Sequence, residues 1–330
     1  MVNELRDVAL GDWGIYQIKE FDITMDLEKI PFWHKLNDKR YLISSKRFDR
    51  PKGNKLLYGR YEPIIKADAE KGHAIVVSMD NKEGDDPLLS YPKLYYDLSS
   101  YRAITFINKF PTFLRFFDNL KLENNVKVEL RKYDRELAKG ICLVSIPTKD
   151  YVRIVDVDDK DFVAIFLSHV SAMRNIYNNI KIGDIHFPYY FFFNIGKNAG
   201  ATVAWVHAQT WIDISKGSFF KEPISFSDSI AIIRPKKNAA NMIKLGDKDI
   251  ADFSLSIKHY FNDLDNEGSY NILIHQAPFG YKNKFNMYAE IIKRKDNPYG
   301  LGGYEYMANE GKPIVFSSVL ELEKFISKTS

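Results

Sequence analysis

Residues 147–162, PTKDYVRIVDVDDKDF, align without a gap with residues 235–250, PKKNAANMIKLGDKDI. Pro147 and Lys149 recur as Pro235 and Lys237, and the triplet Asp-Lys-Asp recurs in the same register. Each copy follows an apolar run typical of a β-strand, ICLVSI in the first and SIAIIR in the second, and each leads into a helix-like stretch. The match and its flanking elements together indicate a duplicated structural unit.

The segments after each match predict the rest of that unit. In the first copy, acidic residues at a helix start precede apolar residues at helical spacing, namely Asp158, Asp159 and Asp161, then Phe162, Ile165, Phe166, Val170 and Met173. In the second copy, Ile250, Phe253, Leu255 and Ile257 lead to Tyr260 and Phe261. Strand-like segments follow both helices: HFPYYFFFNIG and TVAWVHAQTWI, then SYNILIHQAPF and FNMYAEIIKRK. The predicted unit is strand, turn, helix, strand, strand, used twice.

This repeat predicts an α+β fold of two related halves, with mostly antiparallel sheets flanked by helices. We expect a first half over residues 1–215, which includes an N-terminal extension over 1–101 with short strands such as HAIVVSM. The second half is expected over residues 216–330. The segment from Lys216 to Ser227, rich in Ser, Lys and Phe, is predicted to connect the halves.

Composition narrows the class of protein. A chain of 330 residues with 45% hydrophobic content can bury a large core. Lys and Arg (47) nearly balance Asp and Glu (43), which gives no reason to expect nucleic acid or an anionic membrane as a partner. The single Cys excludes an intrachain disulfide and any Cys-based zinc cluster. Without a signal-peptide core or an apolar run near ~20 residues, the chain is expected to be soluble and cytoplasmic.

Residues 191–211, FFFNIGKNAGATVAWVHAQTW, carry the strongest chemical signal. A predicted strand ends at Asn194, a loop containing Gly196 and Gly200 follows, and a second strand holds His207 and Gln209 at alternating positions. Glycines let a backbone approach a phosphate, while His and Gln on one face could supply a nucleophilic imidazole and an amide donor. A His on a strand is also commonly a hydrogen-bonded structural residue, so both interpretations stay open.

The spacing in this segment resembles the pattern F-x-N-K-G-x-x-x-G-[AC]-S-x-x-H-x-H-x-Q of the histidine-triad transferases. The matching residues are Phe192, Asn194, Gly196, Gly200, Ala201, Thr202, His207 and Gln209. Other segments resemble motifs of the galactose-1-phosphate uridylyltransferase-like branch of that superfamily: NELRDVALGDW, Arg50-Pro51, ITFINKFPTF, IHQAPF, YAEIIKR and GGYEYM. The resemblance extends from the N-terminus to about Met307.

The resemblance implies a role for each matching residue. His207 would attack phosphorus and carry the nucleotide, and Gln209 would donate to a phosphoryl oxygen. The implied nucleotide-binding residues are Asn108, Asn194, Gly200, Ala201 and Thr202, and the implied sugar-phosphate-binding residues are His275, Tyr304 and Glu305. A homodimer is implied as well.

The activity that the resemblance favours is UMP transfer between a UDP-hexose and a hexose 1-phosphate. Phosphorolysis or adenylyl transfer on an ADP-sugar or a diadenosine polyphosphate is the alternative within the same chemistry. A nucleotide-binding protein that has lost catalysis is the alternative of another class. The partners expected are therefore a nucleotide sugar and a sugar phosphate or nucleotide.

At several positions where relatives hold metal ligands, this chain has other residues. Where relatives hold a structural zinc, this chain has Trp205, Lys149 and no pair of Cys residues, so we expect no structural zinc and no cofactor. Of a second metal site found in some relatives only His275 remains, with Tyr288 and Glu290 at the other positions. The strand that holds Tyr288 and Glu290 corresponds to the strand of His207, so the first half is predicted to do chemistry and the second to recognise substrate.

Overall fold

A computed structural model describes residues 31–44, 76–81, 101–108, 112–115, 135–147, 149, 151–180, 187–201, 206–215, 220–264, 268–281, 284–297 and 300–329. The strands are β1 (Phe32–Leu36), β2 (Lys39–Ile43), β3 (Val76–Asn81), β4 (Tyr101–Ile107), β5 (Leu114–Arg115), β6 (Arg135–Leu137), β7 (Lys139–Pro147), β8 (Tyr189–Ile195), β9 (Ala208–Asp213), β10 (Ser229–Ile233), β11 (Ser269–His275), β12 (Tyr288–Arg294) and β13 (Val315–Phe316). The helices are α1 (Asp159–Ile180), α2 (Asp247–Tyr260), α3 (Gly303–Asn309) and α4 (Val319–Thr329).

Nine of these strands form one large sheet. Its order is β10-β12-β11-β8-β9-β7-β4-β3, with the short β5 beside β7, and every pair except β5 with β7 is antiparallel. A second sheet has the order β13-β2-β1-β6. The prediction of an α+β fold with mostly antiparallel sheets flanked by helices is therefore confirmed.

The duplicated unit is present in the order that the sequence predicts. In the first copy β7 leads through a turn to α1, β8 and β9, and in the second β10 leads through a turn to α2, β11 and β12. β8 and β11 are neighbours at the centre of the large sheet. From this centre outward the first copy has the order β8-β9-β7 and the second has the order β11-β12-β10, so the last strand of each unit lies between the other two. The two halves are therefore related by an approximate twofold axis through the sheet.

Strand register confirms the sequence alignment residue by residue. Aligning Pro147 with Pro235 also places Ser145 on Ile233, and these two residues pair with Ala208 and Ala289 respectively. Those alanines in turn pair with Phe193 of β8 and Ile274 of β11. Ala208 therefore corresponds to Ala289, and Phe193 corresponds to Ile274. The residues one position away correspond in the same way: His207 to Tyr288, Gln209 to Glu290 and Asn194 to His275.

The Lys and Asp residues that recur in both copies of the repeat have a structural role. Lys149 Nζ lies 3.5 Å from Asp161 Oδ2, and the equivalent Lys237 Nζ lies 3.8 Å from Asp249 Oδ2. Each pair joins the turn that follows the strand to the first turn of the next helix, where the helix dipole favours a carboxylate. The shared Lys and Asp therefore stabilise the turn and the helix start of each copy.

The large sheet is covered on both faces. The predicted apolar positions of α1, including Phe162, Phe166 and Met173, are fully buried and pack with Phe191 and Phe193 on one face. Phe192 and Trp211 point to the other face and pack against Tyr304 of α3. Successive residues of a strand alternate between faces, so the parity of each position decides which side its side chain faces.

Two sequence predictions are changed or left open by these elements. The predicted strand through His207 begins at Ala208, so His207 lies immediately before it, and Thr202 and Trp205 lie outside the described residues. β1 and β2 of the expected N-terminal extension pair with β6 and with β13 near the C-terminus. The division at residue 215 stays a prediction.

Within the described part of the chain, no helix is long and apolar enough to cross a membrane.

Candidate active site

The predicted nucleophile and its predicted partner are in contact. His207 is 7% exposed, and its Nε2 atom lies 3.3 Å from Nε2 of Gln209. Residues two apart along a strand face the same side of the sheet, and Trp211, two residues beyond Gln209, packs in the core beneath α3. His207 and Gln209 therefore face the side of the sheet that α3 covers. The alternation that the sequence predicted has therefore brought the two side chains together.

This contact determines which His207 nitrogen holds a lone pair. An amide nitrogen can only donate a hydrogen bond, so with Gln209 Nε2 as the donor His207 Nε2 must be the acceptor. An imidazole that accepts at Nε2 is neutral and carries its proton on Nδ1. A hydrogen bond donated by Gln209 would favour the tautomer whose Nε2 atom can act as a nucleophile.

Asn194 lies next to this pair. β8 and β9 pair up to Phe193 with Ala208, so the next residues along, Asn194 and His207, are neighbours at the end of the ladder. Asn194 Oδ1 accepts hydrogen bonds from Asn271 Nδ2 at 2.9 Å and from the backbone N–H of Gly303 at 2.8 Å. With its oxygen held by two donors, the amide has one orientation, in which its NH₂ group remains as the donor.

The glycine loop is pressed against the start of α3. Gly200 has a φ of 78°, and a Cβ atom at this position would lie 2.7 Å from the carbonyl oxygen of Leu301. The position therefore requires glycine for both its backbone conformation and its close packing. Asn271 Nδ2 also donates to the carbonyl of Ala199 at 2.9 Å, which ties the loop to β11 of the second repeat.

One detail of the predicted phosphate contacts is not seen. The N–H of Gly200 donates to Lys197 O at 3.1 Å, and the N–H of Ala201 donates to Gly196 O at 3.4 Å. These two donors are thus used within the loop in this conformation, and Thr202 lies outside the described residues. The nucleotide-binding roles of Gly200, Ala201 and Thr202 stay predictions, and the structure adds a packing role for Gly200.

The second repeat has a different polar pair, His275 and Glu290, at the positions equivalent to Asn194 and Gln209 of the first. His275 Nε2 lies 2.7 Å from Glu290 Oε2, and both side chains are buried. The other carboxylate oxygen of Glu290 accepts from the backbone N–H of Phe226 at 2.8 Å. The ring of His275 packs against Tyr288 with centroids 4.7 Å apart. His275 is therefore held by a carboxylate and a ring, unlike His207 beside its neutral amide.

Two of the three predicted sugar-phosphate residues border one cavity. His275 and Tyr304 line a cavity of about 460 Å³ between β8, the segment 220–226 and α3. Glu305 has another role in this structure: its carboxylate Oε2 accepts from the backbone N–H of Gly302 at 2.9 Å and so caps α3. The sugar-phosphate-binding roles of His275, Tyr304 and Glu305 stay predictions.

The other predicted nucleotide residue, Asn108, lies at a distance from His207. Its backbone N–H donates to Cys142 O at 2.9 Å, and Cys142 pairs with Trp211 of β9. Trp211 is four positions from His207, about 13 Å along a strand at roughly 3.3 Å per residue. The structure therefore does not place Asn108 beside the nucleophile, and its contact with a nucleotide stays a prediction.

Metal binding has little support among the described residues. No three His, Cys, Asp or Glu side chains of that part of the chain converge to hold an ion. Lys149, at one of the family's zinc positions, pairs instead with Asp161. The expectation that the chain lacks structural zinc stays a prediction.

Sequence reasoning missed Asn271. It is fully buried and joins Asn194, Ala199 and, at 3.5 Å, Arg294. The available signal was a single amide beside the apolar residues Ile272–Ile274 of the strand SYNILIH, where a polar side chain requires buried partners. Gly302 and Gly303 at the start of α3 were part of a quoted motif, but their closeness to Asn194 depends on the fold.

No protein-family model and no curated protein matches the chain. Among solved structures, an ADP-glucose phosphorylase from Arabidopsis thaliana with bound ADP-glucose is similar at 15% identity and a TM-score of 0.49, over 88% of this chain and 97% of that one. A uridylyltransferase is similar at 18% identity and a TM-score of 0.45, over 63% and 78%. The yeast Ap4A phosphorylase in complex with AMP is similar at 13% identity and a TM-score of 0.42, over 89% and 83%. At identities of 13–18% and TM-scores below 0.5, these similarities fix neither the activity nor the substrate of this chain.

Proposed function

We propose that this chain is a nucleotidyltransferase that works through a covalent nucleotidyl-histidine at His207. The observation that carries the proposal is the 3.3 Å contact between Gln209 Nε2 and His207 Nε2. With the Gln209 amide as donor, that contact would leave the imidazole neutral with its lone pair on Nε2, which is the form a nucleophilic His needs. Asn194 beside it offers a second amide donor whose orientation is fixed by Asn271 and Gly303.

The reaction would proceed by double displacement. His207 Nε2 attacks the α-phosphorus of the nucleotide substrate, a P–N bond forms, and the P–O bond to the leaving phosphate breaks with its electron pair on that oxygen. A phosphate-bearing acceptor then attacks the same phosphorus and breaks the P–N bond, which returns His207 to its neutral form. When substrate enters, Gln209 would turn its N–H from His207 to a non-bridging oxygen, where charge builds in the transition state.

The substrate pair that we propose is a UDP-hexose and a hexose 1-phosphate. The support is the resemblance at Tyr304, which borders the cavity together with His275. Phosphorolysis of an ADP-sugar or a diadenosine polyphosphate would use the same covalent step, and it is the second candidate. We also propose, from the repeat, that residues 1–215 form the catalytic half and, from the resemblance, that the chain is a homodimer. From its composition and its missing zinc ligands we further propose that it is cytoplasmic and needs no zinc.

Intact-protein mass spectrometry tests the proposal. The protein is incubated separately with a UDP-hexose, an ADP-sugar and a diadenosine polyphosphate, without acceptor. We expect a mass increase of one UMP or one AMP group per chain, and the substrate that produces it identifies the base. His207→Ala should show no increase, while His259→Ala, which removes an exposed His on α2, should be labelled like the wild type.

Two outcomes would contradict the proposal. Labelling that persists in His207→Ala would place the nucleophile elsewhere. Nucleotide binding without labelling by any of the three substrates would instead support the catalytically inactive nucleotide-binding protein.

A further inference from the structure

The strand β10 forms one edge of the large sheet. β12 pairs with its inner side, and no other described strand of the chain pairs with its outer side. The outer side of an edge strand presents backbone N–H and C=O groups that can pair with a further strand. One such group has a partner within the chain, because the hydroxyl of Tyr260 donates to the carbonyl of Ile230 at 2.9 Å. A carbonyl oxygen has two lone pairs, so it can also accept from an added strand.

Apolar side chains are exposed along this edge strand. Ile230 and Ile232 are 37% and 40% exposed, whereas Ala231 and Ile233 are half-buried and pack against the core that α2 covers. Edge strands commonly carry a charged residue, often Lys, that opposes pairing with another chain. The exposed positions within β10 carry isoleucine instead, so this edge has an apolar row beside its backbone groups.

The charges that flank this row are self-complementary. Asp228 and Arg234 are both exposed, and each is three residues from Ala231. If two β10 strands pair antiparallel with Ala231 opposite Ala231, Asp228 of each copy lies opposite Arg234 of the other, and Ile230 lies opposite Ile232. Opposite charges and β-branched residues that face each other across a ladder stabilise it. A second copy of the chain supplies this complementary order automatically, because a twofold axis presents the same surface twice.

We propose that two copies of this chain associate by antiparallel pairing of their β10 strands, which joins their large sheets into one continuous sheet. The pairing covers Ile230 and Ile232 of both copies. In sheet order β10 is four strands from β9, about 19 Å at roughly 4.8 Å per strand, so the contact leaves each His207 within its own chain. The choice of this surface rests on exposure and charge and is independent of the proposed activity.

Two features make this association weak. β10 has five residues, and its register with β12 shifts between Ser229 and Ala231. Short edge strands and bulges both restrict pairing with other strands. A ladder of this length belongs with the small interfaces that bury less than about 1,200 Å², and we expect a Kd on the order of 10–100 µM.

Sedimentation equilibrium of the full chain tests the proposal. Over concentrations from about 1 to about 500 µM, which bracket the expected Kd, the average mass should rise from the 38.3 kDa of one chain toward twice that value. Ile232→Lys places a charge on the edge and should keep the protein at the mass of one chain throughout. Leu320→Lys, which changes an exposed apolar residue on α4, is the matched control and should dimerise like the wild type.

A charge exchange identifies the pairing itself. Asp228→Arg and Arg234→Asp should each weaken the dimer at least about tenfold, because each creates two pairs of like charges across the ladder. The double variant restores opposite charges and should dimerise within about threefold of the wild type. Melting temperatures verify that each variant is folded. A wild type that remains at the mass of one chain, a dimer that persists in Ile232→Lys, or a double variant no stronger than the single ones would overturn the proposal.

Discussion

The two repeats share a scaffold and differ in the polar pair that each presents. In the first, His207 contacts the neutral amide of Gln209, and in the second, His275 contacts the carboxylate of Glu290. An amide donor can stabilise the negative oxygens of a phosphoryl group, whereas a carboxylate at the same place would repel them. Under the proposed mechanism, the backbone and register that the repeats share would be insufficient for nucleotidyl transfer, which would depend on one or two side chains at fixed positions.

The largest expected effect comes from giving the first repeat the acid of the second. Gln209→Glu should slow nucleotidylation of His207 by about 100-fold or more, because an oxyanion donor is replaced by a like charge. The rate is measured as the time course of the mass increase. The reciprocal variant, Glu290→Gln, should leave that rate unchanged. Equal rates for Gln209→Glu and wild type would remove Gln209 from the proposed mechanism.

A second difference between the repeats concerns pH. Burial lowers the pKa of His169 on α1 from its ordinary 6.5 to about 3. Its ring contacts the hydroxyls of Tyr189 and Thr210, whereas the aligned position on α2 is the apolar Ile257. Because the folded state keeps this His neutral, its contribution to stability is complete above pH 6.5. It is lost as the pH falls toward 3, by up to ~1.4 kcal/mol per pH unit.

Urea denaturation at a series of pH values measures this effect. His169→Gln retains an amide that can hydrogen-bond but does not titrate, so its free energy of unfolding should fall less steeply between pH 6.5 and 4 than that of the wild type. If the two proteins showed the same slope, His169 would not be the group that senses acid.

A third effect concerns the contact between repeats. Asn271→Ala should lower the free energy of unfolding by about 2 kcal/mol, because Asn194 Oδ1 and Ala199 O each lose a buried hydrogen bond. Asn198→Ala, which removes only an exposed hydrogen bond to Lys295 O, should cost no more than about 1 kcal/mol. Urea denaturation compares the two. A cost for Asn271→Ala no larger than that for Asn198→Ala would show that the amide does not join the repeats.

The smallest expected effect on stability concerns the salt bridge that both repeats contain. Lys149→Met and Lys237→Met each remove one of the two equivalent salt bridges, in which the lysines are 61% exposed. Exposed ion pairs stabilise a protein by up to about 1 kcal/mol. The free energy of unfolding of each variant should therefore differ by no more than this from that of the wild type and from that of the other variant. A large cost for only one of them would show that the two turns are not equivalent.

The sequence by itself determined the duplicated unit, its element order and the pairing of His207 with Gln209. Local patterns suffice for these features, because helical and strand periodicity, acidic helix starts and alternation along one strand are properties of short segments. The correspondence between the strand of His207 and the strand of Tyr288 and Glu290 was also predicted from the alignment, whereas the pairing register, in which a one-residue shift moves every side chain to the other face, came from the structure. The start of β9 was predicted too early, at a boundary that periodicity locates poorly.

Only the tertiary structure decided which distant residues meet. Asn271 reaches Asn194, 77 residues away in the sequence, because β11 lies beside β8. The cavity beside His275 combines residues from both sheets, α3 and the segment 220–226, and no local pattern records such a combination. Side chains far apart in sequence meet through the packing of whole elements, and that packing is a property of the complete fold rather than of any one segment.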